Sequence, residues 1–206
     1  MNSITLTDIA STWTTNRAIF TKKGKEVKEA LVNIKHNLPF DLKAINTDSG
    51  SEFLNTPVFN MCLKKKIKFT RSRAYKKNDN CYVEQKNFTH VRELFGYQRF
   101  EHKELKELMN DIYINYWNPL QNFFLPTFKL KEKIRIGAKI QKKYDKPITP
   151  YQRLIDSNSL SDYQLNSLIN KKKTLNPFIL KKGLEEKLNI FFKQLSMYNK
   201  SKEFMV

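Results

Sequence analysis

The sequence predicts a mixed α/β layer arrangement followed by a basic, mostly helical C-terminal region. Three observations carry this. Short β-branched, alternating runs are interleaved with helical stripes through the first half of the chain. Beyond Asn118-Pro119 and Leu125-Pro126 the 3.6-residue period dominates. A chain of 206 residues that is 40% hydrophobic and 13% aromatic also has the material for a real core.

Ile4-Thr5-Leu6-Thr7-Asp8 alternates apolar and polar residues and reads as a strand, with Trp13 to Ile19 paired to it through a short turn. After Gly24, the spacing of Val27, Ala30, Leu31 and Ile34 makes one stripe of an amphipathic helix, ended by Leu38-Pro39. Leu42 to Thr47 is a third strand, stopped by Asp48-Ser49-Gly50-Ser51. A short helix starts near Pro57, and Ile67 to Thr70 is a fourth short strand. The polar, basic stretch from Arg71 to Asn80 is a loop leading into a helix that ends at Gly96. A further helix, from about His102 to Tyr116, has Leu105, Leu108, Met109, Ile112 and Tyr116 on one face. The order so far is β-β-α-β-α-β-α-α. Past the Pro-marked boundary, Lys133 to Ile140 alternates basic and apolar like a half-exposed strand. Thr149-Pro150 opens a short helix, and helices over 161–172 and 177–198 follow. Leu184, Leu188, Phe191 and Leu195 line one side of the last.

Lys plus Arg number 38 against 20 Asp plus Glu, a formal net charge of +18. Such an excess opposes compaction and points to a polyanionic partner. Part of it matches a compositional bias, since the chain is also rich in Asn, Ile and Phe. Five glycines and seven prolines exclude collagen-like and Gly/Pro-rich low-complexity classes. Cys62 and Cys81 are too few for a disulfide framework or a cysteine zinc site, and read as reduced thiols. His36, His90 and His102 have no ligand spacing with them, and Lys64 to Lys66 and Lys171 to Lys173 read as solvated faces. No run approaches 18 apolar residues, and the first residues resemble no signal peptide, so the expectation is a soluble, intracellular protein.

Two carboxylates carry the candidate chemistry. Asp48 follows the third strand at its C-terminal end, the edge where α/β sheets bind ligands. Glu84 falls in the first turn of the helix after the basic loop, where the helix dipole favours the ionised form. Brought together they repel by about 4 kcal/mol at 4 Å and an effective dielectric near 20. Mg²⁺ relieves that repulsion and prefers oxygen ligands plus water. Arg71, Arg73, Lys76 and Lys77 in the loop suit phosphates, and Tyr75 suits stacking on a splayed base.

Three blocks raise this spacing above chance. Thr47-Asp48-Ser49-Gly50-Ser51-Glu52-Phe53, then Phe69 to Asp79, then Val83-Glu84-Gln85-Lys86-Asn87 resemble the catalytic core of bacterial insertion-sequence transposases. Those enzymes stand with retroviral integrases among the DDE strand-transferases. Val91-Arg92, Gly96-Tyr97, Tyr144-Asp145-Lys146-Pro147 and Thr149-Pro150-Tyr151-Gln152-Arg153 extend the likeness. The resemblance implies a ribonuclease-H-like (integrase core) mixed sheet with flanking helices, and Mg²⁺ (or Mn²⁺) dependence. It also implies DNA cleavage with strand transfer, as in DNA integration and transposition. Asp48 and Glu84 would be the second and third catalytic acids and the metal ligands. Arg71, Arg73, Tyr75, Lys76, Lys77 and Lys86 would contact DNA.

The chain departs from that pattern at three places. Ser49 stands where the family usually has Asn, and Ala74 where it usually has Pro. The family's first catalytic Asp belongs to a strand upstream of the one that Ile4 to Trp13 resembles. Asp8 is therefore expected to be a turn residue, and the core to be N-terminally truncated with its first strand missing. Loss of that central strand would split the sheet into a hairpin, from about Ser3 to Ile19, and a short pair from Leu42 to Thr47 and Ile67 to Thr70. The expected division is residues 1–118 as the core and 119–206 as a basic C-terminal region with a strand segment and helices. The expected partners are transposon-end and target DNA and further copies of the chain on that DNA, in a nucleoid-associated bacterial cytoplasmic setting with no membrane. Cleavage is uncertain without the first acid. The rival reading is a non-catalytic DNA-binding or oligomerising remnant.

Overall fold

The computed structural model describes residues 1–47, 56–73 and 85–203. The first two alternating runs form an antiparallel hairpin of β1 (Asn2–Thr7) and β2 (Thr14–Ile19), with Thr7 opposite Thr14 and Asn2 opposite Ile19. Its turn is closed by Asp8, whose carboxylate accepts from the Ser11 backbone N–H (2.7 Å) and hydroxyl (2.6 Å). The apolar stripe of α1 (Gly24–Asn37) packs Val27, Ala30, Leu31 and Ile34 into a cluster. That cluster also holds Ile4 and Ile19 of the hairpin and Ile45 of β3 (Ala44–Thr47). Val58, Met61 and Cys62 of α2 (Thr56–Lys64) complete it, and the chain returns as β4 (Lys68–Arg71). β3 and β4 run parallel, in register from Ala44 opposite Lys68 to Thr47 opposite Arg71. The hairpin and the parallel pair are separate two-stranded sheets, the division expected from the sequence.

On the other side lie α3 (85–95), whose middle turn Phe88–Arg92 is π-helical, and α4 (105–124). A helix crosses the boundary expected at Asn118-Pro119. The helix continues to Phe124 because a π-helical stretch, Ile112–Trp117, precedes it. The wider turn leaves room for the proline ring, and the missing N–H falls in the first turn of the next α-helical segment, where proline is tolerated.

α4 seals the outer edge of β2 with amide side chains. In this pairing the backbones of Thr14, Asn16 and Ala18 point away from β1. Asn122 accepts from Thr14 N–H (2.9 Å) and donates to Thr14 C=O (2.7 Å), which Gln121 also caps (2.5 Å). Asn118 does the same for Asn16 (3.1 and 3.2 Å), and Asn110 for Ala18 (2.8 and 3.3 Å). The four-residue step from Asn118 to Asn122 rises about 6 Å along a helix, close to the two-residue step of a strand. Three asparagines and a glutamine thus stand in for a neighbouring strand.

A second departure from expectation lies in the C-terminal region. Lys133 to Ile140 is not one half-exposed strand but the tip of a hairpin of β5 (Leu130–Ile136) and β6 (Lys139–Tyr144). Gly137 at φ +60°, followed by an Ala138 without positive φ, makes the reverse turn with the residue order of a type II′ hairpin. Every residue of both strands is exposed. Three helices follow: α5 (Pro150–Asp156), capped by Thr149; α6 (Asp162–Thr174), with a Ser161/Gln164 capping box; and α7 (Pro177–Glu203). Lys172 of α6 donates to the Phe123 carbonyl (2.6 Å) at the end of α4, so this lysine of the 171–173 run is structural.

α7 places Leu180, Leu184, Phe191 and Leu195 in one cluster with Phe95, Phe100, Leu105, Met109, Ile112 and Tyr113. Gly183 permits that approach: a Cβ there would lie 2.3 Å from Cε1 of Tyr116. No helix among the described residues is long and apolar enough to cross a membrane.

Two stability changes follow. Asn122→Leu leaves the Thr14 N–H buried without a partner and costs about 1–3 kcal/mol in urea unfolding; an unchanged midpoint would contradict the edge seal. Gly183→Ala destabilises by about 1–3 kcal/mol through the Tyr116 overlap, although alanine is the better helix former by about 1 kcal/mol. A gain in melting temperature would show that Tyr116 yields freely.

Candidate nucleic-acid and metal site

The C-terminal edge of the parallel pair holds the described ends of two of the sequence blocks, Thr47 and Phe69 to Arg73. Thr47, the last residue of β3, is buried, and its Oγ1 has no hydrogen-bond partner among the described residues. Its carbonyl accepts from the Ser72 N–H (2.8 Å), and Ser72 Oγ donates to Asn46 Oδ1 (2.9 Å). Ser72 is therefore a buried pin holding the start of the basic loop against the end of β3, between the exposed Arg71 and Arg73. Asp48, Tyr75, Lys76, Lys77 and Glu84 lie outside the described residues.

The described part of α3, which starts at Gln85, is anchored by His90. The imidazole is buried, meets the Trp117 ring edge-on at 5.4 Å, and its Nδ1 lies 3.3 Å from Asn16 Oδ1. Asn16 Nδ2 donates to Thr5 Oγ1 (3.0 Å), which turns its Oδ1 toward His90, so the neutral ring carries its proton on Nδ1. Burial, with a smaller push from the Lys86 ammonium, lowers the His90 pKa to about 3. Lys86, one turn earlier, is half-buried, and desolvation lowers its pKa as well. Of the described residues read as DNA contacts, Arg71 and Arg73 are thus solvent-facing, while Lys86 is partly withdrawn.

The described residues contain no group of three or more His, Cys, Asp or Glu able to hold a metal ion. Asp8 has its Oδ2 committed to Ser11, as a turn residue should. The two acids expected to bind Mg²⁺ are both outside the described residues, so the fit of a metal rests on chain position alone. In the chain, Asp48 comes directly after Thr47 of β3, and Glu84 directly before Gln85 of α3. Thr47 Oγ1, next to Asp48 in the chain, is a buried oxygen without a hydrogen-bond partner among the described residues.

Sequence reading missed the His90–Asn16–Thr5 chain and the asparagine seal that holds Asn16. Their signal was the placement of Asn110, Asn118 and Asn122 on one helix, which the general abundance of asparagine conceals.

The folded state keeps His90 neutral down to about pH 3, while the unfolded chain takes up a proton near pH 6.5. Below pH 6.5 the unfolded state binds more protons, so stability falls with pH, by roughly 2 kcal/mol at pH 5. The melting temperature should drop between pH 7 and 5, and His90→Gln should flatten that drop. An equal slope in both proteins would contradict the buried neutral imidazole.

No family model matches the chain. It is 39% identical over 153 residues to the uncharacterized protein y4rM of Sinorhizobium fredii (strain NBRC 101917 / NGR234), a match covering 74% of this chain and 43% of that protein. The chain therefore spans less than half the length of that curated relative. Among solved structures it is similar to the catalytic core domain of BIV integrase, with a TM-score of 0.45 and 15% identity over 75% of this chain and 86% of that one.

Proposed function

We propose that this chain is the DNA-binding core of a DDE-type transposase or integrase, built on a ribonuclease-H-like plan. The observation that carries the reading is the parallel register of Thr47 with Arg71. It brings Thr47, the residue before Asp48 in the chain, opposite Arg71 at the C-terminal edge of the pair, the edge of an α/β sheet where ligands bind. The three sequence blocks and the net charge of +18 support the same partner, DNA.

In this reading Arg71, Arg73, Lys76, Lys77 and the partly buried Lys86 hold phosphates, and Tyr75 stacks on an unpaired base. Asp48 and Glu84 would hold Mg²⁺ (or Mn²⁺), which supplies activation of a water or 3′-hydroxyl toward a phosphodiester. The Ser72 pin fixes where the loop cations start, so the phosphate they hold is positioned relative to Asp48. Assembly of several copies on transposon-end and target DNA belongs to the same proposal.

A second reading, DNA binding or oligomerisation without cleavage, is favoured by the commitment of Asp8 to its turn.

DNA binding should survive Asp48→Asn. Replacing Arg71, Arg73, Lys76 and Lys77 by Ala should lower the log–log salt slope by up to about 4. An unchanged slope in a titration removes the loop from the interface. Mg²⁺-dependent nicking of plasmid DNA by this chain should be absent or very weak, and clear nicking abolished by Asp8→Asn would contradict the turn role of Asp8.

A further inference from the structure

The β5–β6 hairpin stands off the body with every residue exposed, so apolar burial does not explain it. Its two strands carry six cations, Lys131, Lys133, Arg135, Lys139, Lys142 and Lys143, against the single acid Glu132. Among the described residues none of the six is ion-paired. The register sorts them by face. Glu132 opposite Lys143, Ile134 opposite Gln141 and Ile136 opposite Lys139 share one side. Lys133 opposite Lys142 and Arg135 opposite Ile140 share the other, which has three cations and no acid. Directly opposed like charges destabilise a strand pair, so Lys133–Lys142 weakens the ribbon that carries it. Such a pair is relieved by an anion lying across it.

The ribbon is also firmly mounted. Asp145 accepts from the Lys129 N–H (2.6 Å) and pairs with Arg153, which donates in turn to the Thr127 carbonyl (2.7 Å). Thr127 Oγ1 meets Thr12 Oγ1 at 2.8 Å, and Lys129 Nζ donates to the Ala10 carbonyl (3.0 Å), tying the base to the β1–β2 turn. The Tyr144-Asp145 and Thr149-to-Arg153 blocks are thus the mounting of this ribbon.

We infer that the β5–β6 ribbon is a second DNA-binding element, laid into the major groove of duplex DNA with Lys133, Arg135 and Lys142 on the phosphates. A two-stranded ribbon fits the roughly 12 Å major groove of B-DNA, whereas the major groove of duplex RNA is too narrow and deep. A membrane surface is disfavoured because Ile134 and Ile136 share their face with Glu132, Lys139 and Lys143, leaving no continuous apolar side. The inference rests on DNA as the partner and adds a surface that the acids and the loop do not include.

The test is fluorescence anisotropy of the full chain with a labelled 30-base-pair duplex across a salt series. The combined variant K133A, R135A, K142A should bind about ten-fold or more weakly, with a salt slope reduced by about 2.7, or roughly 0.9 per lost phosphate contact. Its melting temperature should be equal or higher, because a repulsive pair is gone. The variant K171A, K182A, K193A removes the same charge from exposed helix positions and should leave the slope nearly unchanged. Unaltered binding by the ribbon variant, an equal loss in the helix variant, or tighter binding to duplex RNA or anionic vesicles than to duplex DNA would each overturn the inference. If the wild-type chain binds no duplex DNA, the proposed function fails as well. If it binds and only the loop variant weakens it, the ribbon assignment alone fails.

Discussion

The row of amide side chains from α4 along the outer edge of β2 is the constraint on which the rest of the structure depends. An open strand edge must be paired, covered or hydrated, because buried backbone groups without partners are costly. Here Asn110, Asn118, Gln121 and Asn122 supply the donors and acceptors that another strand would supply. This lets a helix lie flush against a strand edge and fixes its rotation, since an amide must meet every second residue. α7 then packs onto α4 at the Gly183–Tyr116 contact, and the Lys187–Asp111 pair (2.7 Å) sets its register. His90, held by Asn16 and Trp117, ties α3 to the same strand. The described residues between Glu84 and the hairpin are in this way referred to β2.

The positive charge divides into two populations. Some cations work inside the fold. Arg153 neutralises Asp145, whose carboxyl it holds below the usual range, chiefly by hydrogen bonding. Lys172 closes the end of α4 and lies 3.5 Å over the Phe124 ring. Lys106 reaches Glu26 at 3.4 Å. Burial alone would raise the Glu26 pKa, but the Phe20 and Thr21 N–H groups outweigh it and bring it to about 2. The cations on the ribbon have the opposite character, being exposed and, at Lys133 and Lys142, directly opposed. The fold itself gains nothing from the Lys133–Lys142 pair.

Much of the first half was legible because its patterns are local. Strand alternation, the α1 stripe and the glycine and proline stops located β1 to β4 within a residue or two. The split of the strands into a hairpin and a parallel pair was expected too, as what the family resemblance implies once its central strand is missing. What was not legible depended on partners distant in sequence. Pro119 reads as a stop until a π-helical turn is placed before it. Asn110, Asn118 and Asn122 read as composition until a strand edge lies against them. Gly137 lies inside an alternating run that looks continuous, and only the pairing of the run with itself reveals a turn. At the candidate site, the positions of Arg71 and Arg73 followed from the strand order. The partial burial of Lys86 did not, since it depends on α3 packing over the hairpin.

The proposed function requires Asp48 and Glu84 to face one another and share divalent metal. Metals of a two-ion site stand about 4 Å apart with oxygen ligands about 2 Å from each, so the two carboxylates must lie within roughly 10 Å. A crystal structure of the chain grown with Mn²⁺, with data collected for anomalous scattering, measures this directly. The account predicts carboxylates inside that distance with an Mn²⁺ peak between them, near Thr47 and the Arg71–Arg73 segment. Carboxylates farther apart, or Mn²⁺ bound only elsewhere, would contradict it.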